Sequence, residues 1–147
     1  MRPRMKKIKE NIESEFEHKG FPCVVRVINL CLPKSVQKKM GSIINQQWRN
    51  GYVGVKKGHP FYRKHYPKIN NLGVISVFGG LTFSGRGKNT GCLKKGYWWL
   101  GFDTMGSTMY YDNDTKVTKF WSKERLKEEV KKLAEQLIPK RLAAKVL

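Results

Sequence analysis

Three short runs combine aromatic rings, cations and glycines in patterns suited to an anionic ligand. In GHPFYRKHY (Gly58–Tyr66) rings alternate with cations. Such rings can stack on a nucleobase while Arg63 and Lys64 meet phosphates, although a surface turn with its aromatics tucked into a core would use the same residues. In GGLTFSGRGK (Gly79–Lys88) the bare amides of Gly79 and Gly80, the hydroxyls of Thr82 and Ser84, and the cations of Arg86 and Lys88 could form an anion cradle. The GxxxxGK[ST] spacing of a P-loop is absent and no helix obviously follows, so a glycine bulge in an ordinary strand is the plainer alternative. In YWWLGFD (Tyr97–Asp103) neighbouring tryptophans on a strand point to opposite faces. One of Trp98 and Trp99 can then lie in the core and the other over a ligand. Asp103 either partners a nearby lysine or backbone amide, or accepts hydrogen bonds from a ribose or base edge. The candidate ligand-binding set is His59, Tyr62, Arg63, Lys64, Gly79, Gly80, Thr82, Ser84, Arg86, Trp98, Trp99 and Asp103.

Catalytic patterns are sparse. There is no GxSxG, no HExxH and no pair of carboxylates in the central region, and the histidines are His18, His59 and His65. His59, His65 and Asp103 are metal-ligating types without a metal-ligating spacing. Cys23, Cys31 and Cys92 lack CxxC spacing and read as buried thiols in a reducing cytosol. No catalytic residue, metal or cofactor is expected.

Charge gives the strongest signal. The chain carries 30 Lys plus Arg against 11 Asp plus Glu, a formal charge of +19. Residues 18–102 hold fifteen Lys and Arg and no carboxylate, and Asp103 is the one acid between Glu17 and Asp112. Lysine-rich codon usage would explain the lysines but not the missing acids. A phosphate-bearing partner is the natural complement of such a surface.

The 147 residues suit a single domain over 1–147, with a basic N-terminus (1–8) and a C-terminal tail (140–147) as its least anchored parts. Met5, Ile8, Ile12 and Phe16 fit an amphipathic helix that gives way near Glu13, although residues 15–17 also alternate like a strand entering a turn. His18, Lys19 and Gly20 predict a turn, and Phe21–Leu30 a buried strand. Residues 33–48 predict a helix opening at Pro33, Asn50 and Gly51 a turn, Tyr52–Val55 a strand, and Lys56–Pro67 a loop or single helical turn. Val74–Phe83 predicts a strand broken by Gly79 and Gly80, Ser84–Gly96 a flexible basic loop, Tyr97–Phe102 a strand, and Thr104–Thr115 a loop. Ser122 caps a last helix with the apolar stripe Leu126, Val130, Leu133 and Leu137, with Glu128 and Lys132 as an exposed pair and Pro139 ending or kinking it. The expected fold is α+β: a mainly antiparallel sheet of four to six strands with helices near 34–47 and 122–138 packed on it. Neither a secretory signal nor a spanning helix is read near the N-terminus, so a soluble, cytoplasmic protein without membrane contact is expected.

Together, NGYVGVKKGHPFYRKHY, VFGGLTFSG, WWLGFD and the KEEVKKLAEQL helix resemble a family of small, mostly uncharacterised proteins of tailed bacteriophages and prophages, over about Phe16 to Leu137. Members tend to open on an acidic hairpin, which EFEHKGFPC fits. Where they carry histidines, before GGLT and after the Phe-Asp pair, this chain has Phe78 and, approximately, Gly106. That departure disfavours catalysis. Phage origin implies a role against host defence, and some such proteins sequester nucleotide second messengers. The leading expectation is therefore non-catalytic capture of a phosphate-bearing nucleotide, of the cyclic or ADP-ribose signalling type, in a host cytoplasm. A homo-oligomer would close such a pocket well. The alternatives are a DNA or RNA binder of low specificity, a nucleotide hydrolase or nuclease, and a blocker of an acidic host protein.

Overall fold

A computed structural model of the chain describes residues 7–31, 45–88, 93–104, 109–112, 114 and 116–146. Lys19 and Gly20, with φ of 54° and 84°, both sit in the left-handed region. Two consecutive residues of that kind make the tight turn whose twist matches paired strands. They join β1 (Lys7–His18) to β2 (Phe21–Cys31) in an antiparallel hairpin closed by the His18–Phe21 pair. β3 (Asn45–Val55), β4 (Phe83–Arg86) and β5 (Trp98–Asp103) complete an antiparallel sheet of order β1-β2-β3-β5-β4. β6 (Met109–Asp112) and β7 (Val117–Phe120) form a separate two-stranded ribbon. Among the described residues the helices are, in chain order, α1 (Tyr66–Asn71, between β3 and β4), α2 (Lys123–Gln136) and α3 (Pro139–Val146). The architecture is α+β, with helices packed on an antiparallel sheet. Among the described residues no helix is long and apolar enough to cross a membrane.

Period-two alternation divides the sheet into two faces. One carries Cys23, Val25, Val53, Val55, Trp98, Leu100 and Phe102, which pack with Leu126, Val130, Leu133 and Leu137 of the α2 segment. Burial of each such side chain stabilises the fold by about 1.5–3 kcal/mol. Ser122 caps α2 by accepting a hydrogen bond from the Arg125 amide at 3.2 Å. Burial pushes the Cys23 thiol up to about 12; the side chains of Cys31 and Cys92 lie outside the described residues. Gly51 sets how closely α2 approaches the sheet. A Cβ there would overlap Val130 Cγ2 and lie 2.8 Å from Phe102 Cε1.

Several expectations are corrected. Residues 7–16 form a strand rather than a helix: Ile8, Ile12 and Phe16 are spaced by four, which satisfies both periods, and pairing with β2 decides between them. A bulge between Ile12 and Ser14 accommodates Glu13, whose carboxylate clasps the Arg49 guanidinium at 2.7 and 3.0 Å. The expected helix over 33–48 lies outside the described residues for 33–44, and 45–48 belong to β3, paired with β2. Asn50 and Gly51 are strand residues rather than a turn, because Gly51 serves close packing. Ser84–Arg86 is strand rather than loop, as is Met109–Asp112. Glu128 pairs with Lys131 rather than Lys132. The tail forms α3, anchored by buried Leu142.

Residues 74–82 are not a strand. The first part of this segment, residues 74–78, takes hydrogen bonds from helix side chains instead of a ladder. Gln136 Oε1 accepts from the Ser76 amide at 2.6 Å while its Nε2 donates to the Ser76 carbonyl at 2.8 Å. Glu129 accepts from the Phe78 amide, and Lys145 donates to the Val74 carbonyl. Gly79 and Gly80, at φ of 69° and 75°, then turn the chain toward β4.

The Gly51 contact is testable by Gly51→Ala. The added methyl must displace Val130 or Phe102, with an expected loss of about 1–3 kcal/mol in urea unfolding. Unchanged stability would show that α2 does not sit that close.

Candidate binding site on the open sheet face

The sheet face turned away from α2 carries polar groups in register. Ile12, Arg26, Asn50 and Asp103 form one row across β1, β2, β3 and β5. The next row in the same direction is Glu15, Val24, Tyr52, Gly101 and Phe83. Gly101 leaves room for its neighbour: a Cβ there would lie 2.6 Å from Tyr52 Cδ1. The Tyr52 ring therefore lies over the strand, and Asn50 Nδ2 donates to its hydroxyl at 3.0 Å. Arg26 is only 8% exposed, with its guanidinium carbon 5.4 Å from the centre of the Tyr52 ring. Burial pushes the Tyr52 phenol up, opposed by the Asn50 hydrogen bond and the Arg26 charge. Val24, Tyr52, Leu93 and Trp99 form the small apolar cluster beneath.

These groups border a cavity of about 470 Å³, within the usual range for small-molecule sites. Arg26, Asn50, Tyr52, Thr82, Phe83, Arg86, Lys88, Leu93 and Asp103 are among its lining residues. Phe83 stands edge-on to Tyr52 at 5.5 Å and remains 36% exposed, so its ring is open to a ligand. Thr82 Oγ1 donates to Asp103 Oδ2 at 2.8 Å, and the Thr82 amide bonds the Gly101 carbonyl at 2.9 Å, fixing the rim. The backbone beyond β4 folds back on itself: the Gly87 amide bonds Tyr97 O and the Lys88 amide bonds Leu93 O. A Cβ at Gly87 would overlap the Lys94 carbonyl, so only glycine fits this return. Among the described lining residues are three cations and one carboxylate, which already accepts a hydrogen bond from Thr82. The lining also offers a ring, an amide and hydroxyls, which are the groups that hold a nucleotide.

Of the candidates read from sequence, Thr82, Arg86 and Asp103 meet here. The others lie elsewhere. His59 sits at the C-terminal end of α2, with Nε2 2.6 Å from the Leu137 carbonyl and Nδ1 accepting from the Phe61 amide at 2.9 Å. Tyr62 packs against the core, whereas Arg63 and Lys64 are exposed on the loop before α1. Gly79 and Gly80 form a turn closed by the Gly80 amide on Val77 O. Ser84 Oγ accepts from the Tyr66 amide at 3.0 Å. Trp98 and Trp99 do face opposite ways, but both are buried, their indole N–H groups donating to Lys64 O and Lys94 O at 2.9 Å each. Among the described residues no group of three His, Cys, Asp or Glu gathers as a metal site would require.

Arg26, Asn50, Tyr52 and Phe83 escaped the sequence reading as site residues, and Lys88 was noted only within its run. A signal was present in VVRVI, where one arginine interrupts a strand of valines and isoleucines. A charge at such a position needs a reason to be buried.

The geometry at His59 predicts a pH effect. Its Nδ1 accepts a hydrogen bond and its surroundings are partly dry, so burial lowers its pKa from the usual 6.5. The unfolded chain then binds a proton more readily than the folded one. The resulting stabilisation is complete above the ordinary value and is lost as pH falls below it. Melting temperature should drop between about pH 7 and about pH 5, and less so in His59→Gln. A variant with the same pH slope would remove His59 as the cause. Comparison of the chain with protein-family models, with curated proteins and with solved structures finds no match.

Proposed function

We propose that this protein binds a phosphate-bearing nucleotide, without transforming it, in the cavity on the open sheet face. The observation that carries the proposal is the convergence of Arg26, Arg86 and Lys88 on one cavity that also presents Phe83, Asn50, Tyr52 and Thr82. The cations suit phosphates, Phe83 offers a face for a base, and the amide and hydroxyls suit a sugar or base edge. Asp103 supplies an acceptor that simple anions would not use. A binding role is favoured over a reaction because the described lining contains no histidine, no cysteine and no second carboxylate to act as a general base or nucleophile. Sequestration of a host-defence nucleotide is the biological role that the phage resemblance would give such a site.

The test is calorimetric titration against nucleoside mono- and diphosphates, cyclic dinucleotides and ADP-ribose. At least one should bind, and Arg86→Glu should weaken it about ten- to a hundredfold, as expected for loss of a charge-assisted hydrogen bond. No heat with any of them, or an unaltered affinity in Arg86→Glu, would contradict the proposal.

A further inference from the structure

One acid stands among the cations of the cavity. Asp103 is the single Asp or Glu between Glu17 and Asp112, and the fold places it in the same lining as Arg26, Arg86 and Lys88. A site shaped for phosphate alone gains nothing from a carboxylate there, because in so small a space it repels an entering anion wherever the anion settles. The carboxylate has a use if the ligand brings hydrogen-bond donors together with its phosphates.

The groups around Asp103 point the same way. An ionised carboxylate only accepts hydrogen bonds, and its two oxygens can take about four. Thr82 Oγ1 donates to Asp103 Oδ2 at 2.8 Å, and the bond from the Thr82 amide to the Gly101 carbonyl holds that threonine against β5. With its proton directed at Asp103, the Thr82 hydroxyl presents lone pairs to anything else that approaches. The register partner of Asp103 is Asn50. Its Nδ2 donates to the Tyr52 hydroxyl, while its Oδ1, shielded from solvent, has no hydrogen-bond partner among the described residues. The described lining therefore holds two complementary sets: acceptors at Asp103, Thr82 and Asn50, and cations that only donate at Arg26, Arg86 and Lys88.

We infer that Asp103 is the specificity-determining residue of this site: it admits phosphate-bearing ligands that present N–H or O–H donors to the Asp103–Thr82 rim and turns away phosphates that carry none. The inference rests on the cavity being a nucleotide site and adds which chemistry must enter with the phosphate. In a nucleotide the donors are sugar hydroxyls or the amino and imino groups of a base edge. A ligand of this kind satisfies both sets of lining groups at once, whereas a bare phosphate satisfies the cations and leaves the acceptors facing its own oxygens.

Calorimetry on the native protein and on Asp103→Asn tests it, with ADP, GDP and a cyclic dinucleotide as ligands that combine phosphates with donors and inorganic pyrophosphate as the anion without them. The native protein should bind at least one of these nucleotides about tenfold or more tightly than pyrophosphate. Asp103→Asn should weaken that nucleotide about tenfold and tighten pyrophosphate by about three- to tenfold, two changes of opposite sign. For the nucleotide that binds, a loss in its deoxyribose analogue identifies sugar hydroxyls as the donors, and a loss in an analogue without the exocyclic amino group identifies the base; no loss in either overturns the inference. If Asp103→Asn weakens nucleotide and pyrophosphate alike, Asp103 only holds the rim in shape, and if it tightens both, Asp103 only repels; in either case the inference fails while the nucleotide site stands. Should the variant not fold, the native preference decides, and pyrophosphate binding as tightly as the nucleotides overturns the inference. If no nucleotide binds, the site itself is refuted, and the inference with it.

Discussion

A guanidinium held on the face of a β-sheet is the constraint around which the molecule is arranged. Arg26 stands in a strand of valines and is almost wholly buried, a position that carries a desolvation penalty of several kcal/mol unless the surroundings offset it. Part of the offset comes from across the sheet. Tyr52 presents its ring and hydroxyl, Asn50 orients that hydroxyl, and Asp103 lies one strand further in the same row. The Tyr52 ring has its place because Gly101 carries no side chain: a Cβ there would lie 2.6 Å from Tyr52 Cδ1. The polar row and the glycine are therefore one device.

The opposite face makes that device rigid. Gly51 brings α2 down onto the sheet, and the helix repays the closeness with a continuous stripe from Leu126 to Leu137. The same helix organises distant chain. Gln136 and Glu129 hold the extended segment before β4, and Arg49 joins β1 to the entry of α2 by gripping Glu13 and the Trp121 carbonyl. Because that extended segment leads through Gly79 and Gly80 into Thr82 and Phe83, helix packing on one side positions the rim of the cavity on the other. The Thr82–Phe83 rim of the cavity is thus tied to the core through that segment.

Much of this was legible in the residues. The Lys19–Gly20 turn, the β2 run of apolar residues and the capped α2 stripe follow from local rules, and the α+β class follows from them. β1 was ambiguous because a spacing of four serves helix and strand alike. The segment at 74–82 was misread because the partners of its backbone groups are side chains more than fifty residues away, at Glu129 and Gln136. Position 51 was misread because glycine at a turn and glycine under a helix look the same in one dimension. Of the site residues read from sequence, Thr82, Arg86 and Asp103 do come together at one cavity. The row Arg26, Asn50, Asp103 exists only through strand register, which no local pattern contains. Trp98, Trp99 and His59, the more conspicuous candidates, instead bond to backbone carbonyls that hold loops and helix ends in place.

The most direct test of the cavity as the binding site is side-chain NMR during titration with a mononucleotide. Signals from the Arg26 and Arg86 Nε–H groups and the Asn50 side-chain amide should shift together, along with the backbone amides of Thr82 and Gly101. Shifts confined instead to the loop from His59 to Tyr66, with Arg26 and Asn50 unmoved, would contradict the account.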